Sequence, residues 1–464
     1  MAAQTIDEKR DLTVGSIPKK LIKLSLPIMG GMFLQTIFNI VDTFFVSRLG
    51  SDAIAAVGMN MPLLFILMAA ANAVAVGSSS YIARSLGAKD YSTAEKTASQ
   101  AMTLAIIFGI ITTVIGVVFA RHILAMMGAS GNLLSLATDY TRIIFWGNLI
   151  FFLFLALDGV LRGEGDMKTS MMKQIVAVGF NIILDPILIF GFGPIPQMGV
   201  GGAALATVLS RFIGLLFLFR HFKSGKSTIK FNMTKLVWDW KIIKKIMQVG
   251  LPASASQAMM SLTLFVFNRL AAGFGDEAVS ALSLGFRIDS LAILPGMAIG
   301  ISTVTMVGQN FGAKKFDRVR KSYWTAQIMA VTFMTSVGII IFSFPGFFIS
   351  IFTEEKDVVK YTTSYLRILP LFYPFLASGF ISAHSFQGLG KATPALVIGL
   401  IRVAFVGIPL SYLLTSQTDL GPSGIWLSLG LSDFVFFAVG MLWFKATFRG
   451  VEYSTPTQDV RDTA

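Results

Sequence analysis

Long apolar runs divide this chain into segments of membrane-spanning length, and no other feature constrains its fold as strongly. A helix that crosses the hydrocarbon core of a bilayer needs about 20 mostly apolar residues. Runs of this kind, separated by short polar breaks, follow one another along the sequence. They predict an all-α membrane protein with twelve spans, at residues 21–45, 53–77, 98–119, 143–157, 171–190, 200–219, 246–272, 279–303, 324–344, 358–380, 394–414 and 425–444.

The composition excludes most other classes of protein. Of 464 residues, 54% are hydrophobic and only 14% are charged, which is unlike a soluble globular protein. The chain has no Cys, and His122, His221 and His384 lie far apart, so disulfides and the usual zinc or iron–sulfur sites are not expected. No P-loop or hydrolase motif is present. We therefore predict that the protein is not an enzyme, has no cofactor and does not use ATP directly.

The distribution of basic residues predicts the orientation in the membrane. In a twelve-span threading, 28 of the 38 Lys and Arg residues fall in the termini and loops of one side. The positive-inside rule makes that side cytoplasmic, so both termini are expected in the cytoplasm. The net charge of +13 is then a signal of topology and of attraction to anionic lipid, and nucleic acid is not an expected partner.

The two halves of the chain are related by an internal repeat. Identical residues recur at a constant offset of 225, as in Pro27 with Pro252 and Gly87 with Gly312. Because each half holds an even number of spans, the halves share one orientation and form two six-helix lobes. The predicted regions are an N-terminal segment, a first lobe, a cytoplasmic linker, a second lobe and a cytoplasmic tail, at residues 1–18, 19–220, 221–245, 246–448 and 449–464.

Departures from the repeat show where the first lobe is specialised. Asp42 and Asp185 match Phe267 and Leu410 in the second half. An Asp inside the membrane costs at least about 2.5 kcal/mol and is a functional candidate by default. Gln35, Asn39 and Asp42 share one face of the first helix, and Asn181 lies one turn before Asp185. Thr207 arrives at a comparable depth in the sixth span.

These side chains predict a cluster of oxygen atoms in the outer half of the first lobe. Such a cluster binds a proton between carboxylates or a small hard cation such as Na⁺. The alternative is that the side chains only hold the helices together. Pro27 is a candidate hinge in the first helix, although a static bend is the competing interpretation. In the second lobe we expect the charged residues to pair with one another, namely Arg269, Arg287, Asp289, Arg402 and Asp433.

These motifs resemble the multidrug and toxic compound extrusion (MATE) family, within a larger flippase superfamily. The most specific stretches are Leu26–Pro27 with Asn39 and Asp42, residues 161–166 (Leu-Arg-Gly-Glu-Gly-Asp) and residues 181–186 (Asn-Ile-Ile-Leu-Asp-Pro). The resemblance covers about residues 19–448 and is strongest to the archaeal and DinF-like branch. It implies ion coupling at Asp42, Asn181, Asp185 and Thr207, and a cavity position for Tyr140. That branch has Asn where this chain has Asp158.

The predicted function is a cation-coupled antiporter, driven by H⁺ or Na⁺, that exports organic, often cationic, amphipathic compounds by alternating access. The alternative is a lipid-linked precursor flippase of the same superfamily. We expect a monomer in the plasma membrane, in contact with lipids and small organic substrates. The candidate substrate-binding residues are Gln35, Tyr140, Asp158, Met32, Phe38, Met172 and Met259.

Overall fold

The computed structural model describes residues 10–230 and 238–453. Parts of the predicted N-terminal segment, linker and tail, including Lys9, Lys235 and Arg461, lie outside the described residues. Within the described ranges the protein is helical, and a single isolated bridge between Phe192 and Ile195 is the only extended pairing.

The described residues of the first half include seven helices. Their bounds are α1 Ile17–Ser47, α2 Ser51–Gly87, α3 Tyr91–Met126, α4 Gly131–Trp146, α5 Asn148–Glu164, α6 Met167–Phe190 and α7 Gly199–Lys223. Small and apolar side chains from all seven of these helices form the main core, which includes Val74, Leu104, Ile144, Phe152 and Val208.

The second half continues with helices and three short irregular segments. The α-helices are α8 Trp240–Ala271, α9 Asp276–Gly312, α10 Phe316–Ser343, α11 Pro345–Ser350, α12 Lys356–Ile368, α13 Tyr373–Gly388, α14 Thr393–Leu400, α15 Ile408–Gln417 and α16 Pro422–Tyr453. The irregular segments are 3₁₀ turns at Ala272–Phe274 and Leu369–Phe372 and a π-helical segment at Ile401–Gly407.

The prediction of an all-α membrane protein with twelve spans is confirmed. The described residues contain 11 helical spans long and apolar enough to cross a membrane, and α4 and α5 make a twelfth as a pair bent by 49°. The predicted fourth span, 143–157, missed this bend. It lies at Gly147, where a Cβ atom would come within 2.4 Å of Val208, so the close approach of α7 requires glycine.

The chain is organised as two compact units. The first consists of residues 1–258 with residues 304–313 and 387–392, and the second holds the remaining residues. The first unit therefore includes the last turns of α9 and the last residues of α13, whose preceding turns belong to the second unit. The lobe boundaries predicted from the repeat, 19–220 and 246–448, describe the repeat itself and stay a prediction.

Contacts at matched positions express the repeat in three dimensions. A Cβ at Gly163 would lie 2.8 Å from Ile82, and one at Gly388 would lie 3.0 Å from Val307. Both residues of the second pair are 225 positions beyond those of the first. The C-terminal ends of α2 and α9 likewise continue into Lys89 and Lys314, which both have positive φ angles, 59° and 56°.

Candidate functional site

Asp42 lies in the last third of α1, on the face that the sequence predicted. The side chain of Gln35 donates from Nε2 to Asn39 Oδ1 (3.1 Å) and accepts at Oε1 from Gln174 Nε2 (2.8 Å). Gln35 and Asn39 are exposed, whereas Asp42 is half-buried. Its Oδ1 atom is buried and has no hydrogen-bond partner. The face thus changes from an amide network to a free carboxylate oxygen toward its C-terminal end.

Asn181 and Asp185 occupy consecutive turns of α6 and are fully buried. Asn181 donates from Nδ2 to Asp185 Oδ1 at 3.0 Å. The remaining oxygens, Asn181 Oδ1 and Asp185 Oδ2, have no hydrogen-bond partner. Pro186 follows directly and has no N–H, so it removes the donor that the carbonyl of Ile182 would normally receive. This turn of α6 is therefore rich in acceptor atoms.

Helix packing brings Asp42 and α6 to the same level. A Cβ at Gly30 would lie 2.9 Å from Met171 Sδ, and Gln35 bonds to Gln174, so α1 and α6 run parallel. Counting forward from these contacts puts Asp42 level with residues 181–183. Asp42 and Asp185 also lie close enough to interact electrostatically. The structure therefore brings together Asp42, Asn181 and Asp185, as the sequence predicted.

Thr207 reaches the same level from α7. A Cβ at Gly202 would lie 2.3 Å from the carbonyl oxygen of Leu188, and one at Gly214 would lie 3.4 Å from Ala177, so α6 and α7 are antiparallel. Counting between these contacts puts Thr207 level with residues 183–184. Its side chain is 4% exposed. The described contacts include no hydrogen bond between Thr207 and an acid of the cluster.

Two further residues complete the site. Tyr140 on α4 is 4% exposed and interacts electrostatically with Asp42 and Asp185, and its role in substrate binding stays a prediction. Arg211, one turn beyond Thr207, interacts with Asp42 and Tyr140 and lies 4.8 Å above the ring of Phe151. The sequence interpretation overlooked Arg211. An Arg inside a predicted span, one turn from a candidate ligand, was the signal that could have identified it.

Asp158 belongs to a different group of charges. Its carboxylate pairs with Arg162 (Nη2 to Oδ2, 2.6 Å) and Lys173 (Nζ to Oδ1, 2.8 Å) and accepts from Ser170 Oγ. Lys173 lies in the predicted span 171–190; it is 3% exposed within α6, and its Nζ atom lies 3.9 Å above the ring of Phe154. Both oxygens of Asp158 are thus engaged by internal partners, and its predicted role in substrate binding stays a prediction.

The apolar cavity candidates are distributed over both units. Met32 and Phe38 on α1 are half-buried and Met172 on α6 is exposed, and all three belong to the first unit. Met259 on α8 is half-buried and belongs to the second unit. No described contact joins these four side chains into one site, and their role stays a prediction.

A second acidic group lies where α5, α6 and α7 meet. It also includes Arg10, the first residue that the structure describes. Arg10 pairs with Glu164 (3.3 Å) and Asp166 (2.5 Å), and His221 lies 3.4 Å from Asp166. Burial alone would raise the pKa of Asp166, but the neighbouring imidazole of His221, the charge of Arg10 and the hydrogen bonds from Thr169 outweigh it and lower that pKa to about 2. Glu164, Asp166 and His221 have metal-ligand spacing, yet Arg10 already pairs with both carboxylates. This group anchors Arg10 ahead of α1.

The comparisons with known proteins agree with this architecture. A family model described as MatE matches residues 27–187 and 252–413, two blocks whose starts are 225 residues apart, as the internal repeat requires. A probable multidrug resistance protein NorM of Thermotoga maritima is 29% identical, over 91% of this chain and 91% of its own. The multidrug export protein MepA of Staphylococcus aureus is 30% identical, over 89% of this chain and 90% of its own.

A solved structure gives the same result in three dimensions. The crystal structure of a protein described as MATE in the bent conformation superposes with a TM-score of 0.90 and 30% identity, covering 96% of this chain and 98% of the other. The family model matches a block in each half of the chain. The relatives and the solved structure match nearly its whole length. The chain therefore belongs to the MATE family of multi-span membrane transporters and is not an enzyme.

Proposed function

We propose that this protein exports small organic, often cationic, amphipathic compounds in exchange for H⁺ or Na⁺, which bind at Asp42, Asn181, Asp185 and Thr207. The observation that carries the proposal is the set of three buried oxygens without a hydrogen-bond partner, on Asp42, Asn181 and Asp185. Buried acceptors of this kind are costly unless a proton or cation satisfies them. Asn39 extends the polar face of α1 toward them.

The charges of the cluster define how many ions it needs. Asp42 and Asp185 together carry two negative charges when ionised, and Arg211 supplies one positive charge beside Asp42. The ionised cluster therefore has a net charge of −1. One proton or one Na⁺ makes it neutral, which favours a single coupling ion per transport cycle. Carboxylate and amide oxygens suit either ion, so the choice between H⁺ and Na⁺ stays open.

Neutralising the cluster would favour closure of apolar surface over it. Pro27 interrupts the hydrogen-bond ladder of α1 between the N-terminus of the helix and Asp42, so it is the proposed hinge. Movement of α1 after ion binding would remove the substrate site, which includes Gln35, Met32 and Phe38 on the same helix. Ion and substrate would then compete, and linkage requires the same coupling free energy from either ligand.

The membrane arrangement of the proposal follows from the charge pattern. Both termini lie in the cytoplasm of a monomer in the plasma membrane, and the ion enters from the opposite side. The outer surface of α3 supports contact with lipid, since it exposes Ile110, Ile111, Val114, Ile115 and Val118. The names of the relatives favour drug export over the flippase alternative.

The test compares Asp42→Asn with Asp276→Asn, which removes an exposed carboxylate at the start of α9. Both proteins are reconstituted in sealed vesicles, and uptake of a fluorescent organic cation such as ethidium is followed under an imposed proton or sodium gradient. We expect Asp42→Asn to insert normally and to lose gradient-driven transport, because the neutral side chain no longer exchanges an ion. Asp276→Asn should transport like the wild type.

Binding of the same fluorescent cation provides the second measurement. Acidification or added Na⁺ should weaken wild-type binding at least about fivefold, the lower end of usual allosteric couplings. That dependence should disappear in Asp42→Asn. Wild-type affinity that is constant across pH and Na⁺, or Asp42→Asn transport equal to the control, would refute the proposal.

A further inference from the structure

The second unit contains a buried carboxylate that the proposed coupling cluster does not use. Asp289 on α9 is 3% exposed. Its Oδ2 atom accepts a hydrogen bond from Tyr365 (2.6 Å) and its Oδ1 atom accepts one from Tyr373 (2.5 Å). Asp289 was expected to pair with an arginine, and that expectation is wrong. Among the described side chains, no basic group lies within ion-pair distance of it.

The nearest charges leave Asp289 without a counter-ion. Asp433 on α16 interacts with Asp289 electrostatically, but Asp433 itself pairs with Arg402 at 2.6 Å. Arg402 also lies 5.2 Å above the ring of Phe436. The pairing of Arg402 with Asp433 confirms one of the expected pairings among these charged residues. Arg402 is the only cation that these contacts place near Asp289, and its charge is already balanced by Asp433. The group therefore has a net charge of −1 when both acids are ionised.

The internal repeat connects this group with the first one. Tyr365 stands 225 residues after Tyr140, the phenol beside Asp42 and Asp185. The acids themselves do not match, because Asp289 corresponds to Leu64. Each half of the chain thus places a tyrosine of equivalent position beside a buried carboxylate, although the carboxylate comes from a different helix. Sequence comparison of the halves could not show this, since only one member of each pair is repeated.

Unpartnered polar atoms surround the same tyrosine. Thr362 Oγ1 and Trp426 Nε1 are buried without a hydrogen-bond partner, and both residues are 0% exposed. Thr362 lies one turn before Tyr365 on α12. The Trp426 ring meets the Tyr365 ring edge-on, with centroids 5.2 Å apart. An unpartnered hydroxyl group and an unpartnered indole N–H therefore lie on residues next to Tyr365.

The two tyrosines lie on opposite sides of a break in one span. Tyr365 belongs to α12, Tyr373 begins α13, and the 3₁₀ turn Leu369–Phe372 separates the two helices. An ionised carboxylate accepts both phenol hydrogens and so ties both segments to α9. A protonated carboxyl group has a hydrogen on one oxygen, and the phenol facing that oxygen must turn or release its bond.

We propose that Asp289 is a second proton-binding site. Uptake of a proton breaks one of the two hydrogen bonds from tyrosine, so that α12 or α13 is no longer held to α9 at the break between them. The proton goes to a carboxylate oxygen, one hydrogen bond is lost, and no other covalent bond changes. A proton suits this site better than Na⁺, because both phenols direct their hydrogens, and not their lone pairs, at the carboxylate. The groups that face Asp289 are Tyr365, Tyr373 and Asp433, the last neutralised by Arg402.

The experiment is pH-difference infrared spectroscopy of the full-length protein in lipid nanodiscs. An Asp42→Asn, Asp185→Asn background removes the signals of the first cluster. We expect a C=O stretch of a protonated carboxylic acid that disappears in Asp289→Asn and persists in Asp276→Asn. Tyr365→Phe and Tyr373→Phe should each move the midpoint of this band to higher pH by about one unit, because each removes a hydrogen bond to the ionised form.

Three results would overturn the proposal. One is a pH-difference spectrum that Asp289→Asn leaves unchanged. Another is a band that added Na⁺ abolishes at constant pH, since the ligand would then be a cation. If Asp289→Asn does not purify, the nearly isosteric Tyr365→Phe and Tyr373→Phe variants provide the test. The proposal is refuted if neither variant moves the pH midpoint of the carboxylic acid band. The first cluster is already neutral in this background, so none of these results depends on the proposed coupling site.

Discussion

Gly87 and Gly312 form a reciprocal contact that allows two helix ends to pack backbone to backbone. A Cβ at Gly87 would lie 1.9 Å from the carbonyl oxygen of Gln309, and one at Gly312 would lie 1.9 Å from that of Arg84. All four residues belong to the first unit. Carbonyl oxygens cannot rotate away as a side chain can, so an added methyl group must move a whole helix end.

We therefore predict that Gly87→Ala destabilises this packing. The oxygen must retreat from 1.9 Å to at least 3.0 Å, a displacement of about 1 Å. Overpacking of a close contact costs about 1–3 kcal/mol. The higher helix propensity of Ala offsets up to about 1 kcal/mol of this. The middle of these two ranges leaves a net cost of about 1.5 kcal/mol, which corresponds to a roughly tenfold larger open population.

The assay uses the absence of native cysteine. Ser85, 5% exposed and close to Gly87 on α2, is replaced by Cys to give a single thiol in the chain. When opening and closing are fast, the rate of maleimide labelling follows the population of the open state. We expect about tenfold faster labelling in Gly87→Ala and a similar increase in Gly312→Ala.

The matched control lies on the same helix. Gly58 is also in α2, and a Cβ there would meet no atom within 4 Å. Gly58→Ala should therefore leave the labelling rate unchanged or slow it slightly. Equal labelling rates in Gly87→Ala and Gly58→Ala would refute the reasoning, because backbone contact would then have no role in closing these helix ends.

Three further predictions concern charged residues. Lys173→Met should lower the unfolding temperature, because it removes the buried ammonium group that contacts Asp158 Oδ1 and leaves Arg162 as the partner of the carboxylate. Asp158→Asn should destabilise the wild type, in which it leaves buried Lys173 without a counter-ion, more than it destabilises the Lys173→Met variant; equal losses in the two backgrounds would contradict this. The pKa of Asp166 is lowered from 3.8 to about 2, so the folded state gains about 2 kcal/mol above pH 4 and loses it as the pH falls toward 2. The unfolding temperature of Asp166→Asn should therefore depend less on pH in this range than that of the wild type. An equal pH dependence would exclude the anchoring role of the Arg10–Asp166 pair. Arg211→Met leaves two acids without their cation, so the pH dependence of substrate binding should move to higher pH, and an unmoved midpoint would remove Arg211 from the site.

The sequence alone determined the membrane class, the spans and the repeat. These properties depend on local hydropathy and on spacing along the chain, and both can be read from the sequence without knowledge of the tertiary contacts. The same reasoning placed Asp42, Asn181 and Asp185 at one level, because depth in a helix follows from residue count at about 1.5 Å per residue. Charges in hydrocarbon are costly, so an Asp within an apolar span stands out as a candidate from its position in the sequence.

Only the tertiary structure decided which side chains face one another. Arg211 lies beside Asp42 because of the rotation of α7 about its axis, and Lys173 pairs with Asp158 because of the rotation of α6. The position of an apolar span along the sequence does not specify this rotation. Tyr365 and Tyr373 meet Asp289 across 76 and 84 positions of sequence. The bend at Gly147 likewise depends on the approach of Val208 from another helix. Span and depth are set along the chain, whereas partners are set by packing between helices.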